Sequence, residues 1–295
     1  MIDFSCKKDI FLEDEDGLIV PMSEPYFRSK RIAPGTWQVL SDGDYSYLLE
    51  GDDEALLIDS GYGAGDIRAY CQTLTEKPLS QIANTHHHFD HTANDSYFDL
   101  AYMSAATKPL ATIPFPSFAG IDFPRDYPVQ IVGDGDVIPL KGRELLVFEI
   151  PDHAVGSLAF LDRKERILFS GDEFMLMGKS LNGGVAHWLA MLQKLAPYRG
   201  DFDRLCAGAW IMDASVFDAQ MACTKYILDG HEGEPAEAGR FPNTERFDEA
   251  GRRIWKRRLP HPGDGPKNMN EGIEYKRTVH HGGTSITYDI RKLQE

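Results

Sequence analysis

Cysteine is scarce in this chain, and its four thiols (Cys6, Cys71, Cys206 and Cys223) lie far apart with no CxxC pair among them. That spacing excludes a disulfide framework and a thiolate zinc ribbon. It reads as the ordinary reduced thiols of a cytoplasmic protein. Long apolar runs are missing too. No stretch approaches the roughly 20 residues of a membrane span. The start Met1-Ile2-Asp3-Phe4-Ser5-Cys6-Lys7-Lys8-Asp9 has no basic segment leading into an apolar core, so neither a secretory signal nor a membrane partner is expected. Positive charge is in deficit: 31 Lys and Arg against 46 Asp and Glu leave a formal net charge of −15. Such a chain repels a phosphate backbone, which argues against nucleic acid as a partner. There is no G-x-S-x-G nucleophile elbow, and Gly61-Tyr62-Gly63-Ala64-Gly65 is too weak for a nucleotide loop.

What is present suits a layered α/β fold. With 42% hydrophobic residues over 295 positions, a sizeable core needs no covalent staple. Strand-like alternation predicts strands over 37–40, 45–50 and 55–59, joined by Gly- and Asp-rich turns, then a helix over 64–74 and a short buried strand over 82–85. Further strands are expected at 99–104, 128–132, 145–150 and 204–207, with a hairpin of 158–161 and 166–170. Helical spacing covers 186–196 and 214–229. A second hairpin is expected from 272–280 and 284–290 around Gly282-Gly283. Residues 1–33 read as irregular, and 231–267 are rich in Gly, Pro and charge. Early and middle strands with helices between them fit two sheets flanked by helices better than one parallel sheet.

The chemistry is concentrated in His86-His87-His88-Phe89-Asp90-His91. Four imidazoles and a carboxylate in six residues, directly after a buried strand, have no packing rationale. Divalent-metal binding supplies one. In an extended segment His86 and His88 project to the same side, and Asp90 and His91 follow where a helix would start.

The spacing H-x-H-x-D-H resembles the signature of the metallo-β-lactamase superfamily, in particular its glyoxalase-II-like branch. Three later or earlier segments match in order. Asp59-Ser60-Gly61 looks like the D-x-G whose carboxylate supports a ligand histidine. His153 in Pro151-Asp152-His153-Ala154-Val155-Gly156-Ser157 is similar to the third histidine ligand. Asp172 in Ser170-Gly171-Asp172 looks like the bridging aspartate. The resemblance implies an αββα sandwich with the metals at the sheet edges. It implies His86, His88 and His153 around one ion, and Asp90, His91 and Asp172 around another, with Zn2+ as the cofactor, one or two ions, and Fe or Mn as alternatives. It divides the chain into an N-terminal extension over 1–35 packed on the main body, the sandwich over 36–230, and a C-terminal extension with a hairpin over 231–295 belonging to the same domain.

One departure stands out. The family's last histidine ligand would fall in Cys206-Ala207-Gly208-Ala209-Trp210, where Ala209 offers none. The second ion is then weak or absent, or water or substrate fills the place, or another histidine serves: His187 first, with His231, His261, His280 and His281 behind it. Tyr62, Phe174, Met175, Trp188 and Trp210 follow motif positions and are candidates for a pocket wall. The basic stretch 240–258 reads as a solvated helix face or an oligomer contact, which would make a homodimer, with the anionic tail of a substrate, such as a CoA or glutathione carboxylate, as the alternative partner. The expected function is metal-dependent hydrolysis of an acyl bond (thioester, lactone, ester or amide) in a small molecule, with Asp90 as the catalytic base. A phosphodiesterase of nuclease type and a non-hydrolytic iron or sensor protein are the alternatives.

Overall fold

A computed structural model describes residues 2–3, 11–13, 19–21, 27–41, 43–114, 118, 120–176, 178–237, 246–247, 253–256 and 272–295. Much of the basic stretch, including Arg240, Arg252, Arg257 and Arg258, lies outside the described residues, as does His261.

The first half of the chain builds a seven-stranded sheet in the order β1 (Phe27–Ala33), β2 (Thr36–Ser41), β3 (Asp44–Glu50), β4 (Ala55–Ile58), β5 (Leu79–Ala83), β6 (Leu100–Met103) and β7 (Val129–Ile131). Strands β1 to β4 pair antiparallel, and β4 to β7 pair parallel. The second sheet runs β8 (Val137–Leu140), β9 (Arg143–Glu149), β10 (Leu158–Asp162), β11 (Ile167–Gly171), β12 (Arg204–Ala207) and β13 (Ile211–Asp213). All its neighbours are antiparallel except β11 and β12.

Alternation along each strand decides the layers. From β3 and β4, Tyr47, Leu49, Leu56 and Ile58 point inward. There they meet Leu145, Val147, Phe160, Ile167 and Phe169 of the second sheet. The intervening Leu48, Ala55 and Leu57 point outward with Ile67 and Cys71 of α1 (Ile67–Gln72). On the far side Ala159, Leu161 and Leu168 carry α3 (Val185–Leu195) and α4 (Ser215–Leu228), through Trp188, Leu192, Phe217 and Ile227. Each fully buried Leu, Ile, Val or Phe among them contributes about 1.5–3 kcal/mol. The result is the expected helix–sheet–sheet–helix order. A hairpin of β14 (Lys276–His281) and β15 (Thr284–Asp289) turns at Gly282-Gly283, both at positive φ, and β15 pairs with Lys179–Ser180.

The differences from the sequence reading lie at three sheet edges and at the start of one helix. Phe27–Ala33 is an ordered edge strand rather than irregular chain, and β8 and β13 are edge strands that the pattern does not announce. The helix over 64–74 is shorter, because the Asp66 carboxylate accepts the Ala69 N–H at 2.9 Å and starts it later.

The topology brings six connections to one end of the sandwich. Strands β4 and β5 are parallel, so the segments after Ile58 and Ala83 emerge together. The β2–β3 turn lies there because β3 is antiparallel to β4. The ends of β11 and β12 and the β9–β10 loop share the corresponding end of the second sheet.

Candidate metal centre

His86 follows β5 and is almost fully buried. Its ring centroid lies 4.6 Å from that of His88, 4.1 Å from His91 and 5.1 Å from His153, although His153 comes from the other sheet. His88 Nδ1 and His153 Nε2 are 3.0 Å apart. Burial, reinforced by the neighbouring imidazoles, pushes His86 well below the ordinary histidine value and His88 down to about 3. Both rings are thereby held neutral, the form that ligates a metal.

Asp59, at the end of β4, organises this side. Its Oδ1 accepts the Thr85 N–H at 2.7 Å and its Oδ2 accepts the Thr85 hydroxyl at 2.8 Å. The same Oδ2 lies 2.9 Å from His91 Nδ1, and Thr85 Oγ1 lies 3.1 Å from His86 Nδ1. Both rings are therefore fixed through Nδ1, leaving Nε2 turned to the cluster. Behind them, Asn84 Nδ2 donates to the His91 carbonyl and to Asp95, and Ser60 Oγ donates to Asp95 at 2.8 Å.

Asp90 and His91 sit on the one-turn helix α2 (Phe89–Thr92). His91 Nε2 is 3.7 Å from Asp90 Oδ2 and 3.7 Å from Asp172 Oδ1. Asp172 Oδ2 is 3.6 Å from His153 Nε2. Burial opposes charge on His91, but Asp59, Asp90 and Asp172 outweigh it and raise its pKa well above the ordinary value. Gly171, at φ 50°, lets the chain turn where a Cβ would run into Thr85.

A divalent cation fits these residues. His86 Nε2, His91 Nε2 and Asp90 Oδ1 are buried and have no hydrogen-bond partner among the described residues. Buried polar atoms are rarely left so, and here the orphans converge. Among the described residues three sets have ligand atoms all within 4.8 Å of one another: His86, His88 and His153; His86, His91 and Asp172; and Asp44, Asp90 and His91.

Every residue read from the motifs as a ligand is thus brought together. The candidates for a substitute ligand among the described residues are not. His187 Nε2 lies 2.7 Å from the Pro151 carbonyl, where it braces the His153 loop. His231 and His281 stack on the two faces of Tyr226, at 3.7 and 4.1 Å. Tyr62 is buried against Phe89 and Phe118, and Phe174 and Trp188 are core. Trp210 is half-buried against the helical layer.

Sequence reasoning missed Asp44, which reads as a turn former beside Gly43. It also missed the group behind His153. Glu173 Oε1 accepts the N–H groups of Asp152 and His153 at 3.0 and 2.8 Å, and buried Lys179 pairs with Glu173 and Asp152 at 2.8 and 2.9 Å.

A two-sheet sandwich with imidazoles and carboxylates converging at one end defines a layered α/β protein with a candidate metal centre. The chain belongs to the Metallo-beta-lactamase superfamily, whose sequence model matches residues 42–198. It is 28% identical over 191 residues to the acyl-coenzyme A thioesterase MBLAC2 of Homo sapiens, a match covering 54% of this chain and 66% of that protein. It is 35% identical over 144 residues to a hydroxyacylglutathione hydrolase of Cereibacter sphaeroides, covering 47% of this chain and 51% of the relative. These matches span between half and just under two thirds of the relatives' own length. Among solved structures, a metallo-beta-lactamase from Hirschia baltica superposes with a TM-score of 0.52 at 16% identity, covering 66% of this chain and 96% of that one. One from Pontibacter korlensis gives 0.51 at 18% identity, covering 65% and 96%. Both likenesses concern the fold. No helix among the described residues is long and apolar enough to cross a membrane.

Proposed function

We propose that this chain is a metal-dependent hydrolase that activates water to cleave the acyl bond of a small-molecule thioester. The observation that carries the reading is the convergence of His86, His88 and His153, from two sheets, with buried His86 Nε2 left without a hydrogen-bond partner among the described residues. The relatives named as an acyl-coenzyme A thioesterase and a hydroxyacylglutathione hydrolase support thioester over lactone, ester or amide.

In this reading His86, His88 and His153 hold one ion. Asp90, His91 and Asp172 serve a second. Three neutral imidazoles favour Zn2+ at the first position. A bound divalent cation would supply Lewis acidity, lowering the pKa of a water it holds towards about 7 and polarising a carbonyl. The protein supplies the rest. Asp59 locks the His91 ring and, through Thr85, the His86 ring. Asp90 presents its carboxylate to the attacking water, orients it and takes its proton. The loop carrying His153 is held by Glu173, Lys179 and His187, so the third imidazole does not drift. Buried, unpaired thiols at Cys71, Cys206 and Cys223 accord with a cytoplasmic setting.

The test combines elemental analysis of the purified chain with a panel of thioesters, lactones, esters and bis-p-nitrophenyl phosphate. The wild type should carry zinc and turn over thioesters best. His88→Ala should lower kcat/KM at least a thousandfold, ~4 kcal/mol of transition-state stabilisation, and reduce bound metal while the fold persists. A fully active His88→Ala removes that imidazole from the mechanism. Preference for the phosphodiester replaces the thioester reading.

A further inference from the structure

The resemblance expects a histidine ligand where Ala209 stands, and the structure places a carboxylate of the first sheet beside Asp90 and His91 instead. We propose that Asp44 completes this position, so that the second ion is held by Asp44, Asp90 and His91 beside Asp172; the assignment rests on the metal-centre reading above.

Three observations lead here. Asp44, Asp90 and His91 present ligand atoms all within 4.8 Å of one another. Two of those residues carry buried atoms with no hydrogen-bond partner among the described residues, His91 Nε2 and Asp90 Oδ1, so the set has unspent ligand capacity. The loop that should have delivered a histidine reaches the cluster with backbone instead. A Cβ on Gly208 would run into Asp172 and His91, and the Gly208 carbonyl accepts the Tyr45 N–H at 2.6 Å. That bond fastens the residue next to Asp44 to the loop next to Ala209. The Tyr47 hydroxyl adds a second tie, donating to the Ala207 carbonyl at 2.6 Å. The turn before β3 is therefore held against the ligand-free loop, with its carboxylate on the cluster side.

The exchange changes the chemistry of the position. Three imidazoles make the first site nitrogen-rich. Carboxylates of Asp44, Asp90 and Asp172 around one imidazole make the second oxygen-rich, hence harder and more tolerant of Mn2+ or Fe2+. Their concentrated negative charge also needs a cation for balance.

The test strips the full chain with chelator and titrates it calorimetrically with Zn2+, with elemental analysis after desalting. The wild type is expected to take up two ions in resolved steps. Asp44→Asn and Asp44→Ala are expected to keep the tighter step and to weaken the other more than about 100-fold, beyond the 10–100-fold typical of a residue that only supports a ligand. Ala209→His added to Asp44→Ala is expected to restore it. Unchanged far-UV circular dichroism of the stripped variants separates ligand loss from misfolding. Two steps that survive intact in Asp44→Ala overturn the assignment, as does a wild type with a single step. A wild type that binds no ion, matching His88→Ala, overturns the three-histidine centre itself.

Discussion

At Asp59 a single carboxylate sets two imidazoles, one directly and one through Thr85. Its φ of 58° is a backbone setting that Asn also tolerates. Asp59→Asn should therefore keep the fold yet weaken metal binding about 10–100-fold, measured by competition with a chromophoric chelator. Unaltered affinity would show that the ring orientations are fixed elsewhere. Asp95 lies one layer deeper. Burial pushes its carboxyl up to about 8, against the hydrogen bonds from Asn84, Ser60 and Tyr127 that favour the charged form. The folded chain then keeps a proton that an unfolded carboxyl, near 4, has released. Stability from this group is fully present below about 4 and is lost as pH rises towards about 8. Asp95→Asn should accordingly gain in melting temperature relative to wild type across that window, and a difference constant with pH would remove Asp95 from the linkage. The ligand run at 86–91 is legible in sequence because its density has no packing excuse. Asp44 and Asp95 are not legible, because one aspartate beside a glycine or near a helix end has ordinary turn and capping uses. Only the fold brings Asp44 to Asp90 across the sheet.

Elements that bury both faces were readable, and most edge strands were not; β7, expected at 128–132, is the exception. Strands β3, β4, β10 and β11 repeat apolar residues on one or both faces. In contrast β1 carries Arg28, Ser29, Lys30 and Arg31 on a solvated edge, and β8 contains Pro139. Charge and proline are how edge strands avoid pairing with other chains, and they erase the alternation that announces a strand. The two-residue strand at Lys179 is a different case, since its importance lies in the pairing of its side chain. Burial opposes the ammonium, but Glu173 and Asp152 outweigh it and hold it charged. The ring of Trp188 lies 4.3 Å from Nζ. Lys179→Met strands two buried carboxylates, so it should destabilise the chain by about 3–5 kcal/mol in urea unfolding. Adding Glu173→Gln should recover part of that loss. If the double variant is no better than the single, the cost lies in packing rather than charge.

Across the whole molecule, the ligand set divides between the sheets. His86, His88, Asp90 and His91 follow β5 of the first sheet, while His153 and Asp172 flank strands of the second. An ion held by both sets acts as a cross-link between layers that otherwise adhere through the apolar interface of Tyr47, Leu56, Phe160 and Phe169. The unfolded chain keeps the contiguous run 86–91 but cannot bring His153 and Asp172 to it, so the ion binds the folded state more tightly. Free Zn2+ at a thousand times its dissociation constant should then add up to about 4 kcal/mol to the free energy of unfolding, less whatever the unfolded run itself binds. EDTA should reverse the gain, and His88→Ala should show little of it. Urea denaturation with and without zinc measures the increment directly. A midpoint indifferent to both zinc and chelator would mean that the two sheets share no ion, and the hydrolytic reading would lose its physical basis.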